Sequence, residues 1–262
     1  MSTRPQAPSR GPFRADQVGE DDRYELSNGH PIYRAPAGRR HGSSNLTGGL
    51  PLATDPLVRE AGVDVGFSLE PGTLRAPDLA VGNVPELAGF SPVSPPLAVE
   101  YADTGNDEGE LQAKIAELLD AGTRLVWVVR LVGPRRVEVY EAEKPMRIAS
   151  PGQLLEAPDI LQNPLPVEAL YDREASFEAS LRNLLQRRGY GSIDEIQREA
   201  RAGGRLAGQE EGREEELRQA IVDLCEAYGT PLDAAQRTAL QGLGLAALLD
   251  RKARIKRERR WV

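Results

Sequence analysis

Two carboxylates stand in sequence positions where a solvated surface charge is not expected. Asp78 directly follows Pro77 at the start of an apolar segment, and Glu100 interrupts another apolar segment between Val99 and Tyr101. An ionised carboxylate on a buried strand is costly unless it is paired or bound to a metal. Because neighbouring strands lie ~4.8 Å apart, the two groups could share one cation. Oxygen ligands of this kind suit Mg²⁺ or Mn²⁺.

Lys114 lies one turn into the helix that we predict after Glu100. From there its amine could reach over the carboxylates and orient or deprotonate a water. Two acids, a hard cation and a lysine suit phosphodiester hydrolysis, because the metal activates a water and neutralises the leaving phosphate. A purely structural interpretation of each residue stays open. Asp78 could cap a turn, and Glu100 could face solvent on an edge strand. Lys114 could pair with Glu110 or Glu117 on the helix surface.

The elements that must position these residues follow in a clear order. Apolar alternation predicts strands over 78–83 and 97–102, and an apolar stripe at helical spacing predicts a helix over 109–121. Two β-branched segments, 124–132 and 135–143, then predict further strands. The order strand, strand, helix, strand, strand is typical of an α/β fold.

The segment before these elements is less regular. Residues 23–34 predict a β-hairpin with Asn28-Gly29 as its turn. Residues 43–59 predict a weak helix, because glycine and proline interrupt it. Residues 63–70 alternate in the manner of one strand. Three domains are therefore expected: a disordered arm over 1–22, an α/β domain over 23–166 and a charged helical extension over 167–262.

The composition excludes several classes of protein. The chain has 262 residues and a formal net charge of −7, which argues against binding a polyanion by bulk positive charge. A single cysteine, Cys225, excludes an intramolecular disulfide framework and a cysteine-rich zinc site. The sequence has neither an apolar segment of the ~18–20 residues that a membrane span needs nor a secretory signal at its start. We therefore expect a cytoplasmic protein without membrane contact.

An ordered set of motifs surrounds the candidate residues. The matching positions are Pro77-Asp78, Glu100, Lys114, Gly122 eight residues beyond that lysine, Trp127-Val128-Val129 and Arg136–Tyr140. Over residues 23–170 this set resembles the Uma restriction endonuclease family of the PD-(D/E)xK nuclease superfamily. The resemblance implies a restriction-endonuclease-like mixed sheet core. It also implies a lysine moved from the usual E-x-K position, which is Ala102 here, into the helix at Lys114.

The same resemblance implies an activity and a site. The activity is Mg²⁺- or Mn²⁺-dependent endonucleolytic hydrolysis of DNA, with Asp78, Glu100 and Lys114 as the catalytic residues. Asp78 and Glu100 would bind the metal, and Glu25 of the hairpin would complete the acidic cluster. His41 stands where the family often places a histidine at the start of the first helix, and a surface or loop histidine is the alternative. With Arg39 and Arg40 we expect it to contact nucleic acid.

The C-terminal region suggests a second hypothesis of a different class. Apolar residues from Leu217 to Tyr228 recur at helical spacing and must bury their face against something, and residues 251–260 carry seven Arg or Lys. The nuclease fold could then be an inactive scaffold whose charged helices drive self-assembly, with a homodimer as the first expectation, or bind a protein partner. The basic end could instead touch phosphate non-specifically or be a solvated helix end.

Overall fold

The computed structural model describes residues 11–103 and 108–261 of the chain. It consists of two compact units, which divide between Gly191 and Ser192. The first unit has a mixed α/β architecture and the second is helical. In the part of the chain that is described, no helix has the length and apolar character needed to cross a membrane.

The first unit contains twelve strands and three α-helices among its described residues. The strands are β1 (Tyr24–Ser27), β2 (His30–Tyr33), β3 (Ala61–Val63), β4 (Phe67–Glu70), β5 (Thr73–Arg75), β6 (Leu79–Val81), β7 (Leu97–Ala102), β8 (Leu125–Arg130), β9 (Arg136–Tyr140), β10 (Arg147–Ala149), β11 (Leu154–Leu155) and β12 (Leu165–Pro166). The helices are α1 (Arg39–Thr54), α2 (Glu108–Asp120) and α3 (Arg173–Arg187).

A six-stranded sheet, in the order β10-β9-β8-β7-β6-β3, forms the centre of this unit. The pair β7–β8 is parallel and the other pairs are antiparallel, so the sheet is mixed. A parallel pair needs a crossover connection, and α2 lies in the sequence between these two strands. A second, antiparallel sheet has the order β2-β1-β5-β4, and β11 and β12 form a separate pair. The expected mixed sheet core is therefore present.

The central sheet is buried on both faces, which explains the continuous apolar sequence of β8. Val99, Trp127 and Val129 belong to the larger apolar cluster on one face. Ala98 and Val126, each one residue before a member of that cluster, pack with α2 on the other face. Alternate residues of a strand point to opposite faces, so Glu100 shares the face of α2.

Helix α1 is better ordered than its glycine and proline content predicts. A Cβ atom at Gly48 would lie 2.0 Å from the Tyr101 hydroxyl and 3.1 Å from the carbonyl oxygen of Leu170. The glycine is therefore required for close packing rather than being a weakness of the helix. The same contact lets Tyr101 donate a hydrogen bond to the Leu170 carbonyl at 2.7 Å.

The α/β unit extends beyond the boundary that the sequence suggested at residue 166. Helix α3 packs against α1, and Ser176 and Asn183 of α3 donate hydrogen bonds to the carbonyls of Thr47 and Pro51. These contacts satisfy polar groups on the inner face of α3. The helix consequently belongs to the first unit, which continues to Gly191.

Residues 11–22, which the sequence assigned to a disordered arm, are folded against the hairpin sheet. The amide of Phe13 donates to the carbonyl of Gly29, and Ala15 is buried with Leu26 and Leu74. The apolar contacts of Phe13 and Ala15 explain this order. Residues 1–10 of the predicted arm lie outside the described part of the chain.

The strand predicted over 63–70 is wrong, because the chain changes sheets within it. β3 belongs to the central sheet and β4 to the hairpin sheet, and between them Asp64 adopts a left-handed backbone with φ of 53°. By contrast, the hairpin turn at Asn28-Gly29 is confirmed. Both of these residues have positive φ, as the favoured two-residue turn requires.

The second unit consists of α4 (Ile193–Ala227), α5 (Ala234–Gln241) and α6 (Leu245–Glu258). Ser192 caps α4 by accepting a hydrogen bond from the amide of Glu195. The predicted apolar stripe is partly covered within the unit, where Ile221 and Cys225 of α4 pack with Leu248 and Ile255 of α6, whereas Tyr228 at its end is 37% exposed. A partner is therefore not needed to bury these core positions.

Candidate active site

The two predicted carboxylates lie at corresponding levels of neighbouring strands. Leu79 of β6 pairs with Val99 of β7, and one residue further this antiparallel register sets Asp78 opposite Glu100. The exposed fractions are 8% for Asp78 and 6% for Glu100. Both residues line one cavity of about 760 Å³. The strand pairing thus brings together two acids that are far apart in the sequence.

Lys114 lies at the same cavity and is buried rather than on a helix surface. Its Nζ atom is 2.7 Å from Oε1 of Glu100 and 3.3 Å from Oε1 of Glu25. It also donates a hydrogen bond of 2.6 Å to the carbonyl of Ala76. The interpretation of Lys114 as a surface lysine is therefore wrong, since it holds two buried carboxylates from two different sheets.

Glu25 is surrounded by positive charge. Arg34 contacts its carboxylate with two nitrogens at 2.9 and 3.1 Å, and the fully buried Arg75 contacts it at 3.1 Å. Burial alone would raise the pKa of Glu25, but Lys114, Arg34 and Arg75 lower it to about 2. These cations already occupy the carboxylate that the resemblance assigned to the metal.

Glu100 has the opposite balance of charge. Burial, opposed by Lys114 and reinforced by the nearby charges of Asp78 and Glu25, raises the pKa of this carboxyl to about 8. Apart from the ion-pair contact with Lys114, Oε1 of Glu100 has no aligned hydrogen-bond donor among the described residues. An added cation would therefore favour the ionised form of Glu100.

His41, at the start of α1, holds Asp78 from the other side. Its Nε2 atom lies 2.8 Å from Oδ1 of Asp78, and the backbone amide of Tyr101 donates to Oδ2 at 2.6 Å. The hydrogen bond with Asp78 raises the pKa of His41, although burial acts against it. Of the other residues predicted to contact nucleic acid, Arg40 forms an ion pair with Asp103, and Arg39 is exposed.

Three charged residues at or beneath the site were not predicted from the sequence. Arg34 follows the hairpin directly, and Arg75 stands in the apolar segment three residues before Asp78. An arginine within such a segment is a signal of the same kind as the one that singled out Glu100. Asp64 lines the cavity too, and its amide approaches the carbonyl of Asp78 at 3.4 Å. Burial raises the pKa of Asp64, and the charge of Asp78 adds to this effect.

The chemistry of the cavity wall suits a hard cation. The described residues that line it include nine Asp or Glu side chains but only four Lys or Arg. Across residues 11–103 and 108–261, no group of three or more His, Cys, Asp or Glu side chains is arranged to hold a metal ion. Mg²⁺ is commonly bound through one or two carboxylates and keeps several waters. The pair Asp78 and Glu100 therefore fits such an ion.

Comparison with known proteins agrees with this architecture. A crystal structure titled as a putative nuclease belonging to DUF820, from Anabaena variabilis ATCC 29413, superposes with a TM-score of 0.53 and 16% identity. The match covers 62% of this chain and 98% of that one, and at this identity it shows a shared fold. No curated protein matches the chain. The family model described as "Uma2: Putative restriction endonuclease" matches residues 13–168. This match spans more than half of the sequence, and the chain therefore belongs to the Uma2 family, which supports a nuclease-type function.

Proposed function

We propose that the protein is a metal-dependent endonuclease that hydrolyses phosphodiester bonds of DNA. One observation carries the proposal. Asp78 and Glu100 line the same cavity from paired strands, and the Lys114 amine lies 2.7 Å from Glu100 in that cavity. Two carboxylates beside a lysine form a group that can hold a cation and act on a phosphate at the same point.

Asp78 and Glu100 would hold the metal, with Mg²⁺ or Mn²⁺ as the expected ion. When bound, such an ion supplies a water of lowered pKa and neutralises charge on the phosphate. Glu25 is the weaker candidate ligand, because Arg34, Arg75 and Lys114 already contact its carboxylate. Its proposed role is to hold Lys114 in place.

Lys114 acts as a cation rather than as a base. Burial lowers the pKa of this amine, but the carboxylates of Glu100, Glu25 and Asp78 outweigh burial and raise it above the ordinary value. The ammonium therefore stays charged at neutral pH. From its position beside Glu100 it can orient a water or a phosphate oxygen and stabilise negative charge that develops during cleavage.

His41 positions Asp78. Its hydrogen bond to Oδ1, together with that of the Tyr101 amide to Oδ2, fixes the rotation of the carboxylate. Each oxygen keeps a further lone pair that can face the cavity. We therefore assign His41 to the orientation of the ligand, in place of the direct nucleic-acid contact that the sequence suggested.

The test combines metal binding with DNA nicking. Mn²⁺ is titrated calorimetrically into the wild type, Asp78→Asn and Glu100→Gln, and each protein is then incubated with supercoiled plasmid and Mg²⁺ or Mn²⁺. We expect metal binding and nicking in the wild type and the loss of both in the two variants. Glu156→Gln, an exposed carboxylate outside the cavity, is the matched control and should behave as the wild type.

Two results would contradict this assignment. Unchanged nicking by Asp78→Asn would place the activity elsewhere. No heat of Mn²⁺ binding together with no nicking by the wild type would favour the alternative of an inactive nuclease-fold scaffold. In that case self-assembly, tested by light scattering of the full chain, becomes the function to examine.

A further inference from the structure

The cavity that holds Asp78 and Glu100 also has an aromatic side. Tyr24 and Tyr33 line it, and they stand directly opposite each other on β1 and β2. Their ring centroids are 5.7 Å apart with an interplanar angle of 63°. Tyr33 is 41% exposed, which is high for a large side chain in a strand. The open part of this ring is therefore available to a ligand.

A short series of contacts runs from the residue that follows Tyr33 to the reacting groups. Arg34, the next residue after Tyr33, is fixed by Glu25 at 2.9 Å. Glu25 in turn contacts Lys114 at 3.3 Å, and Lys114 contacts Glu100 at 2.7 Å. Tyr33 pairs with Tyr24 and Glu25 pairs with Ile32, so the Tyr33 ring and the Glu25 carboxylate point to opposite faces of the hairpin. The ring and the proposed metal site are connected through the cavity that both line, so a strand that spans this cavity can contact both.

The shape of the site favours one kind of nucleic acid. The proposed ligands are buried at the cavity, with exposed fractions of 8% and 6%. A cavity of about 760 Å³ falls in the range of small-molecule sites, roughly 300–1,000 Å³. Such a volume accommodates a nucleotide, whereas a base pair within a stacked duplex cannot enter without leaving the stack.

The charge of the wall supports the same conclusion. Carboxylates outnumber Lys and Arg by nine to four among the described lining residues, so the wall itself attracts a phosphate backbone poorly. Affinity must then come from the bound cation and from contacts with the bases. Stacking on an aromatic ring is sequence-tolerant, since every base has a π-face.

We propose that the cavity is specific for unpaired DNA, with a base stacked on Tyr33 while a phosphate of the same strand lies at the carboxylate pair. This inference rests on the proposed function for the reacting site and adds to it the substrate class. The cross-strand pair Tyr24–Tyr33 also stabilises the hairpin, as such aromatic pairs do. The experiment must therefore separate stacking on DNA from hairpin stability.

Binding is measured without cleavage by fluorescence anisotropy in Ca²⁺, using labelled single-stranded (dT)12 and a blunt 12-base-pair duplex. The proteins are the full-length wild type, Tyr33→Ala, Tyr33→Phe and Tyr190→Ala, a tyrosine outside the cavity. We expect the wild type to prefer the single strand. Tyr33→Ala should weaken strand binding about 5- to 150-fold, while Tyr33→Phe and Tyr190→Ala retain it. Melting temperatures report any loss of hairpin stability.

The outcomes distinguish this inference from the proposed function. Equal affinity for strand and duplex, absent strand binding, or an unchanged affinity in Tyr33→Ala would overturn the inference, even if plasmid nicking is intact. An equal loss of strand and duplex binding in Tyr33→Ala with a lowered melting temperature would overturn it as well, since that result indicates a structural role. Tyr33-dependent strand binding without any cleavage in Mg²⁺ or Mn²⁺ would support the substrate class and refute the nuclease activity.

Discussion

The three cationic neighbours of the Glu25 carboxylate lead to a prediction about the stability of the protein in acid. Its pKa falls from the ordinary value of 4.5 to about 2 in the folded protein. One pKa unit corresponds to 1.36 kcal/mol, so this difference amounts to about 3 kcal/mol of folding free energy at neutral pH. The side chain is only 4% exposed, so solvent screening reduces the value little.

The sign of the effect follows from the lowered pKa. A carboxyl with a depressed pKa in the folded state stabilises the protein above the pKa of the unfolded chain, and this stabilisation is lost as the pH falls toward the folded value. Glu25→Gln should therefore lower the free energy of unfolding at pH 7 by about 3 kcal/mol. The difference from the wild type should shrink as the pH falls from 4.5 toward 2, where Glu25 itself becomes neutral.

The assay can be restricted to the first unit. The chain has two tryptophans: Trp127 lies in the core of the α/β unit and Trp261 packs in the helical unit. Urea unfolding followed by tryptophan fluorescence in a Trp261→Phe background therefore reports the first unit alone. Glu156→Gln, an exposed carboxylate, is the matched control and should change stability little at any pH. A destabilisation by Glu25→Gln that is the same at pH 3 and pH 7 would refute the reasoning.

Three further substitutions test the packing of the two units. Gly48→Ala should destabilise the first unit by about 1–3 kcal/mol through overpacking, because its Cβ would meet the Tyr101 hydroxyl. Gly42→Ala, whose Cβ has open space, is its control and should be neutral or stabilising in the same urea unfolding assay. Asp55→Ala should cost about 2 kcal/mol or more in urea unfolding, since this buried carboxylate accepts three backbone amide hydrogen bonds; an unchanged midpoint would contradict its structural role. Ile255→Ala should cost about 2–5 kcal/mol in the transition reported by Trp261 and leave that of Trp127 unchanged, and equal shifts in both would show that the units unfold together.

The central sheet was predictable because its signals are local. The β-branched segment of β8 and the alternation of β7 and β9 mark buried strands without knowledge of their partners. An acid within such a segment stands out for the same reason, which is how Asp78 and Glu100 were found. The short strand β5 and the break between β3 and β4 were missed, because the alternating pattern continues through Asp64 although the backbone there turns away.

The partners of the buried charges could not be predicted in the same way. Glu25 pairs with Arg75 and with Lys114, which are 50 and 89 residues distant in sequence. The pairing of β1 with β5 brings Arg75 to Glu25, and the contact between the hairpin sheet and α2 brings Lys114 there. A sequence signal can show that a charge is out of place, but the identity of its counter-charge depends on the tertiary fold.

These long-range pairs connect the stability of the fold with the chemistry of the site. Removing one partner of a buried ion pair is more costly than the pair itself is stabilising, because the other charge is left without compensation. Lys114 compensates the charges of both Glu25 and Glu100. Replacing Lys114 by a neutral residue, or moving its ammonium away, would therefore destabilise the fold. The counter-charge that permits Glu100 to be buried is thus also the group positioned to act on a phosphate. Both the stability of the fold and the proposed reaction therefore require an ammonium at the position of Lys114. A protein that had lost the activity of this site would still be expected to retain the lysine, because the fold needs its charge. For that reason the presence of Lys114 by itself argues little for activity, and the cation affinity of Asp78 and Glu100 is the property that distinguishes an active nuclease from a scaffold.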